Sequence, residues 1–172
     1  IGDNNHPYAG IFEGQGHLIK NLSIEYIGRG DKIYERNNYG LFGYNHKGSV
    51  DRTFVVSGTL KPANTDDLYM GGLVGCMDKS TITNSEAAVD IWYPNQEGAV
   101  YNVLAGGLVA KMDDANSMVH SSMAMPHVRN MGLYSDGLVG GLVGEASAGA
   151  IQYSFVNAKF SYWSEEQSSD VL

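Results

Sequence analysis

Paired carboxylates are the side chains of this 172-residue chain best suited to chemistry. They stand at Asp66–Asp67 within "NTDD", at Asp113–Asp114, and at Glu165–Glu166. Two carboxyl groups can share glycoside hydrolysis, one protonating the leaving oxygen while the other activates water. Several together can hold calcium, and stacking of chain segments could bring the first two pairs side by side. None has the D-x-[DN]-x-[DN]-G spacing of a calcium loop. "NTDD" follows Pro62 in a polar stretch where Asn and Asp are ordinary turn formers. The five histidines, His6, His17, His46, His120 and His127, show no ligand spacing for zinc. Cys76 is the single cysteine, so no intrachain disulfide can form, and it is read as a small buried hydrophobe. No G-x-S-x-G elbow or phosphate-gripping glycine motif is present. No catalytic residue, cofactor or metal site is therefore expected, and the chain is read as non-enzymatic.

Aromatic residues offer the better candidate for ligand contact. Trp92 and Tyr93 lie seven and eight residues past Ser85, and Tyr162 and Trp163 lie eight and nine past Ser154. Recurrence at one place in a repeat could line up an aromatic strip, and flat aromatic faces stack on sugar rings. The same residues could equally form a structural ladder or cover a sheet edge. The formal net charge of −8 repels phosphate backbones, so no nucleic acid is expected. No apolar run approaches the roughly 20 residues that cross a bilayer, so no membrane insertion of this segment is expected.

These residues sit in a repeat. The anchor reads "GLFG" at Gly40, "GLVG" at Gly72, "GLVA" at Gly107 and "GLVG" at Gly141, with "GIFE" at Gly10 as a degenerate fifth copy. A second element follows each anchor: "VDRT" ending at Thr53, "ITNS" at Ser85, "IQYS" at Ser154, and "MVHS" at Ser121 after allowing one extra residue. The first unit offers "IKNL", ending at Leu22. Beyond it, positions two and four alternate as in a strand with one buried face: Ile24 and Tyr26, Val55 and Ser57, Ala87 and Val89, Met123 and Met125, Val156 and Ala158.

Equivalent residues returning about every 33 positions favour an all-β repeat solenoid, right-handed and parallel β-helix-like, of about five coils. A β-sandwich of hairpins is the alternative. The anchor leucines Leu41, Leu73, Leu108 and Leu142 then point inward, with glycines easing a tight corner. "KPANTDD", "PNQEGAVYN" and "HVRNMGLYSD" bulge out as loops before each new anchor. One repeat domain spans 1–172, with units near 8–38, 39–69, 70–104, 105–138 and 139–164, as a piece of a larger protein continuing at both ends. Five of the seven methionines lie between Met112 and Met131 and read as adaptable core filler.

"YAGIFEGQGHLIKNLSIEYI", Tyr8 to Ile27, resembles the opening unit of the GLUG-motif repeats of bacterial surface proteins. Phe12, Gly14, Gly16, His17, Ile19, Leu22 and Ile24 stand at the positions of that pattern, and the "GGLVG" units follow it. Ala110 in the fourth anchor and the Met-rich fourth unit depart from it. "NTDD" also resembles the first acidic motif of pectin-hydrolysing enzymes, but the remaining parts of that set are missing. The GLUG resemblance implies a β-helical stalk or adhesive region of a secreted or surface-anchored bacterial protein, of a kind that also occurs beside immunoglobulin-cleaving peptidase modules. It implies an extracellular or cell-surface location. The expected partners are a host or microbial glycan, an extracellular protein, and the rest of the parent chain. A carbohydrate-binding module is the second reading, and a polysaccharide lyase or hydrolase the third.

Overall fold

The computed structural model describes residues 1–25, 38–61, 67–92, 102–131 and 137–162. The described residues form short strands and turns, with no helix among them. One coil shows the plan. The chain runs through Asp67–Gly71, Val74–Asp78, Thr81–Thr83, Glu86–Ala87 and Asp90–Trp92, turning a corner between each. Each strand pairs in parallel with its counterparts in the coils before and after, giving five sheets that we number I to V in that order. Sheets III, IV and V are five strands tall, and sheets I and II are four. The opening coil supplies regular strands only to sheets III to V, so the coil count is slightly below the five expected. The parallel ladder is that of a β-solenoid and excludes the hairpin sandwich, whose neighbouring strands run antiparallel.

Inward rows repeat their chemistry from coil to coil. Val50, Ile82 and Val119 stack in sheet III, and Leu60, Ile91 and Val128 in sheet V, all fully buried. Stacking of like apolar side chains is what gives the ladder its register, since a one-residue slip would turn every inward residue outward.

The anchor is the corner between sheets I and II. Leu73 and Leu108 are fully buried there, while Leu41 and Leu142 pack on the core from nearer the ends. Hydrogen bonds pass through the corner, from the Leu73 N–H to the Leu108 carbonyl (3.0 Å) and from the Leu108 N–H to the Leu142 carbonyl (2.9 Å). A Cβ on Gly107 would stand 2.1 Å from the Gly141 carbonyl oxygen, so the glycines are required by the approach of successive corners.

The strand register corrects three expectations. "GIFE" is not a fifth anchor, because Ile11, Phe12 and Glu13 pair with Ser49, Val50 and Asp51 in sheet III. The first unit's "IKNL" is displaced too: Leu18 and Ile19 pair with Phe54 and Val55, and Ile24 lies beside Leu60. In the fourth unit, Ser122 rather than Ser121 takes the hydroxyl row, so Ala124 and Pro126 are buried while Met123 and Met125 are half-exposed. The cause lies upstream. The corner at 113–117 is longer than its counterpart at 79–80, and pairing of Thr81 with Met118 resets the frame after it. Of the clustered methionines Met112 is in the core, joined there by Met70 and Met77, while Met118, Met123 and Met125 are half-exposed. "KPANTDD" and "PNQEGAVYN" fall mostly outside the described residues, and "HVRNMGLYSD" begins as the strand His127–Met131.

Candidate functional site

The outward face of sheet V gathers charged, polar and aromatic side chains. Its strands Gly58–Lys61, Asp90–Trp92, His127–Met131 and Lys159–Tyr162 alternate, so Ile91 and its neighbours turn inward while Asp90 and Trp92 turn out. Pairing places Thr59, Asp90, His127 and Lys159 in one outward row, and Trp92 beside Arg129 in the next.

Trp92 is 38% exposed. The Lys61 ammonium from the preceding coil stands 5.7 Å from its ring centroid, and the Arg129 guanidinium from the following coil 5.6 Å. Both distances are those of cation–π contacts. The ring is thus flanked by cations from its two neighbouring strands, which leaves its exposed edge more open than its faces. Arg129 also donates from Nε to Asp90 Oδ2 at 3.0 Å, and its Nη2 forms an ion pair with the same oxygen at 3.0 Å.

His127 lies between Asp90 and Ser161. Its Nε2 is 3.2 Å from the Ser161 Oγ, and its Nδ1 is 3.6 Å from Asp90 Oδ1. The order hydroxyl, imidazole, carboxylate is that of an activated serine. The second separation is too long for a hydrogen bond, and the Asp90 carboxylate is held by Arg129 instead. Asp90 therefore does not orient the ring as a catalytic carboxylate would. Partial burial pushes the His127 pKa down, helped by Arg129 and Lys159 and opposed by Asp90. The imidazole is neutral at pH 7 and can offer one donor and one acceptor. Beside it, at the corner between sheets IV and V, is an open cleft of about 260 Å³, whose lining includes Ser57, Val89, Asp90, Met125 and His127.

The other expected residues are distributed as follows. Tyr162 pairs with Met131 through the backbone, two residues beyond the row of Trp92, so these two aromatics do not share a row. Tyr93 and Trp163 lie outside the described residues, as do Asn64, Thr65, Asp66, Glu165 and Glu166. Asp67 opens a strand of sheet I. Asp113 pairs with Lys111 at 3.2 Å. Asp114 Oδ1 accepts from both the backbone N–H and the side-chain amide of Asn116, closing a turn, and these bonds hold its pKa low. Among the described residues no cluster of three or more His, Cys, Asp or Glu is placed to hold a metal. His46 bonds Asp78 across coils at 2.7 Å, and His17 is exposed in a turn. Cys76 is buried and its thiol is pushed up to about 12, chiefly by that burial. No helix among the described residues is long and apolar enough to cross a membrane.

Periodicity placed Trp92 at the end of a strand. It gave no sign of Asp90, His127 and Arg129, because cross-coil neighbours over 30 residues apart meet only once the register is known. The single signal in the sequence was a shared distance from the hydroxyl row, between Asp90 and His127 and again between Trp92 and Arg129. No protein-family model, curated protein or solved structure matches the chain.

Proposed function

We propose that this chain is a non-enzymatic repeat segment of a bacterial cell-surface or secreted protein, serving as a rigid, adhesive display scaffold. One observation carries this reading. Inward rows keep their residue class from coil to coil, whereas outward rows change. In sheet V the inward row runs Leu60, Ile91, Val128, Phe160, while the outward row runs Thr59, Asp90, His127, Lys159. A constant inside with a varied outside is what a frame for presenting contacts requires, and solenoids lend such surfaces length and stiffness. The GLUG resemblance supports the same placement outside the cell. Display of the chain on a non-adherent bacterium tests it. Adherence to mucin- or matrix-coated surfaces should rise, and unchanged adherence across both would sink the adhesive role.

A glycan-binding module is the second reading, favoured by the cleft beside Asp90 and His127, with Trp92 two residues further along the same outward face. Neutral imidazole, carboxylate and guanidinium groups together supply the donors and acceptors that sugar hydroxyls need. In a Trp163→Phe background, Trp92 fluorescence should shift across a panel of host and microbial glycans. Silence over the whole panel would reject this reading.

A further inference from the structure

The cleft beside His127 lies where the corner between sheets IV and V changes length. Val56, Ser57 and Gly58 stand between the paired positions Val55 and Thr59. Only Ala88 and Val89 stand between Ala87 and Asp90, and only Met125 and Pro126 between Ala124 and His127. Successive corners of unequal length cannot stack flush, and the cleft sits at that mismatch. Its lining comes from three successive coils, so it is a groove along the solenoid axis, about 10 Å long at a strand spacing of about 4.8 Å. The sheet IV side is apolar: Val56, Ala88 and Met125 directly follow buried Val55, Ala87 and Ala124, and are half-exposed. The sheet V side carries Asp90 and His127. Two atoms there have no hydrogen-bond partner among the described residues. Arg129 engages Asp90 at Oδ2 and leaves Oδ1, and Ser161 engages His127 at Nε2 and leaves Nδ1. Oδ1 and Nδ1 stand 3.6 Å apart, too far to satisfy each other.

We infer that this groove binds a neutral glycan chain lying along the solenoid axis, with two adjacent ring hydroxyls taken by Asp90 Oδ1 and His127 Nδ1. The inference rests on the glycan-binding reading and adds to it the class of sugar and its direction. One hydroxyl donates to the carboxylate. The other donates to Nδ1 or accepts from it according to tautomer, so the match holds for either form of the neutral ring. The C–H face of the sugar lies against Val56, Ala88 and Met125, where apolar contact replaces water. The single formal charge in the lining is the Asp90 carboxylate. It meets the carboxylate of a uronic acid with like charge, so acidic chains are refused.

Isothermal titration of the full 172-residue chain tests this, with neutral hexamers of glucose, mannose and galactose, their monosaccharides, and a galacturonic acid hexamer. At least one neutral hexamer should bind, about tenfold or more tighter than its monosaccharide, and the acidic hexamer should not. Asp90→Ala and His127→Ala should each weaken that binding about tenfold or more. Ala88→Phe, which fills the groove from its apolar side, should abolish it, with circular dichroism confirming that each variant is folded. A neutral hexamer bound equally well by all three variants overturns the groove assignment and leaves the glycan-binding reading standing. So does tighter binding of the acidic hexamer, which overturns the class of sugar, or equal affinity for monosaccharide and hexamer, which overturns the axial placement. No binding of any of these sugars removes the inference together with the reading beneath it.

Discussion

Asp51 shows how much a single outward residue can tie together. Its Oδ1 accepts from the Thr83 hydroxyl and the Asn84 amide of the next coil, and its Oδ2 from Arg52 Nε. Arg52 then reaches Glu13 of the coil before. The Thr83 and Asn84 bonds, with Arg52, hold the Asp51 pKa below its ordinary value. A carboxyl group so lowered stabilises the fold above its unfolded pKa, about 3.9, and that share is lost as pH falls through the folded value. Asp51→Asn should therefore lower stability at pH 7 and make the decline from about pH 5 to pH 2.5 shallower than in wild type. Urea titrations at the two ends of that range measure both effects, and an unchanged decline would remove Asp51 from the acid response. Cys76 permits an independent test. With its pKa near 12 and 7% exposure, the thiol is protonated and covered. Labelling by a thiol reagent at pH 8 should be slow in the native protein and complete within minutes in denaturant. Fast native labelling would mean that the outer face of sheet II opens.

At the scale of elements, the corners carry more of the fold than the strands, several of which are two residues long. Between sheets III and IV, Arg52, Asn84, Ser121 and Tyr153 all take a left-handed conformation, with φ of 46°, 49°, 49° and 50°. That conformation costs non-glycine residues about 1–2 kcal/mol each. The residue that follows offsets it. Thr53, Ser85, Ser122 and Ser154 each donate to the carbonyl two residues back, and the last three each accept an N–H from the coil before. Ser85→Ala leaves the buried Thr53 N–H without its acceptor and should cost about 1–3 kcal/mol. Ser154→Ala, in the half-exposed last coil, should cost less. Equal losses in denaturant melts would show that burial does not govern the ladder. Gly107→Ala should be worse than either, because its Cβ would press on the Gly141 carbonyl oxygen at 2.1 Å and on Ala124 at 2.8 Å. A loss above about 3 kcal/mol, or failure to fold, is expected. Both features were legible as recurring residue types: the anchor as a glycine-bounded leucine, the ladder as a small hydroxyl. Their frame was not legible where turn length varied. Ser121 and Ser122 are chemically alike, and only cross-coil pairing shows which faces inward.

Over the whole molecule, stability should follow the number of neighbours each coil has. Among the described residues a coil in the middle is paired on both sides, and the last on one. In a stacked array each unit contributes its own weak folding tendency plus the interface with each neighbour, so the outermost unit opens first. The change is abrupt here, from fully buried Val128 to Phe160 at 42% exposure in a single step of sheet V. The solenoid itself could be read in advance, because a 33-residue period with an inward leucine has few other packings. The outward cluster of Asp90, His127 and Arg129 could not, since its residues vary between coils and carry no period. Amide hydrogen exchange separates the levels. In dilute protein, protection should be greatest in Val74–Asp78, Thr81–Thr83 and Val109–Met112, and should drop by orders of magnitude in Ala150–Gln152 and Lys159–Tyr162. Uniform protection along the chain would mean that the solenoid opens as one cooperative unit.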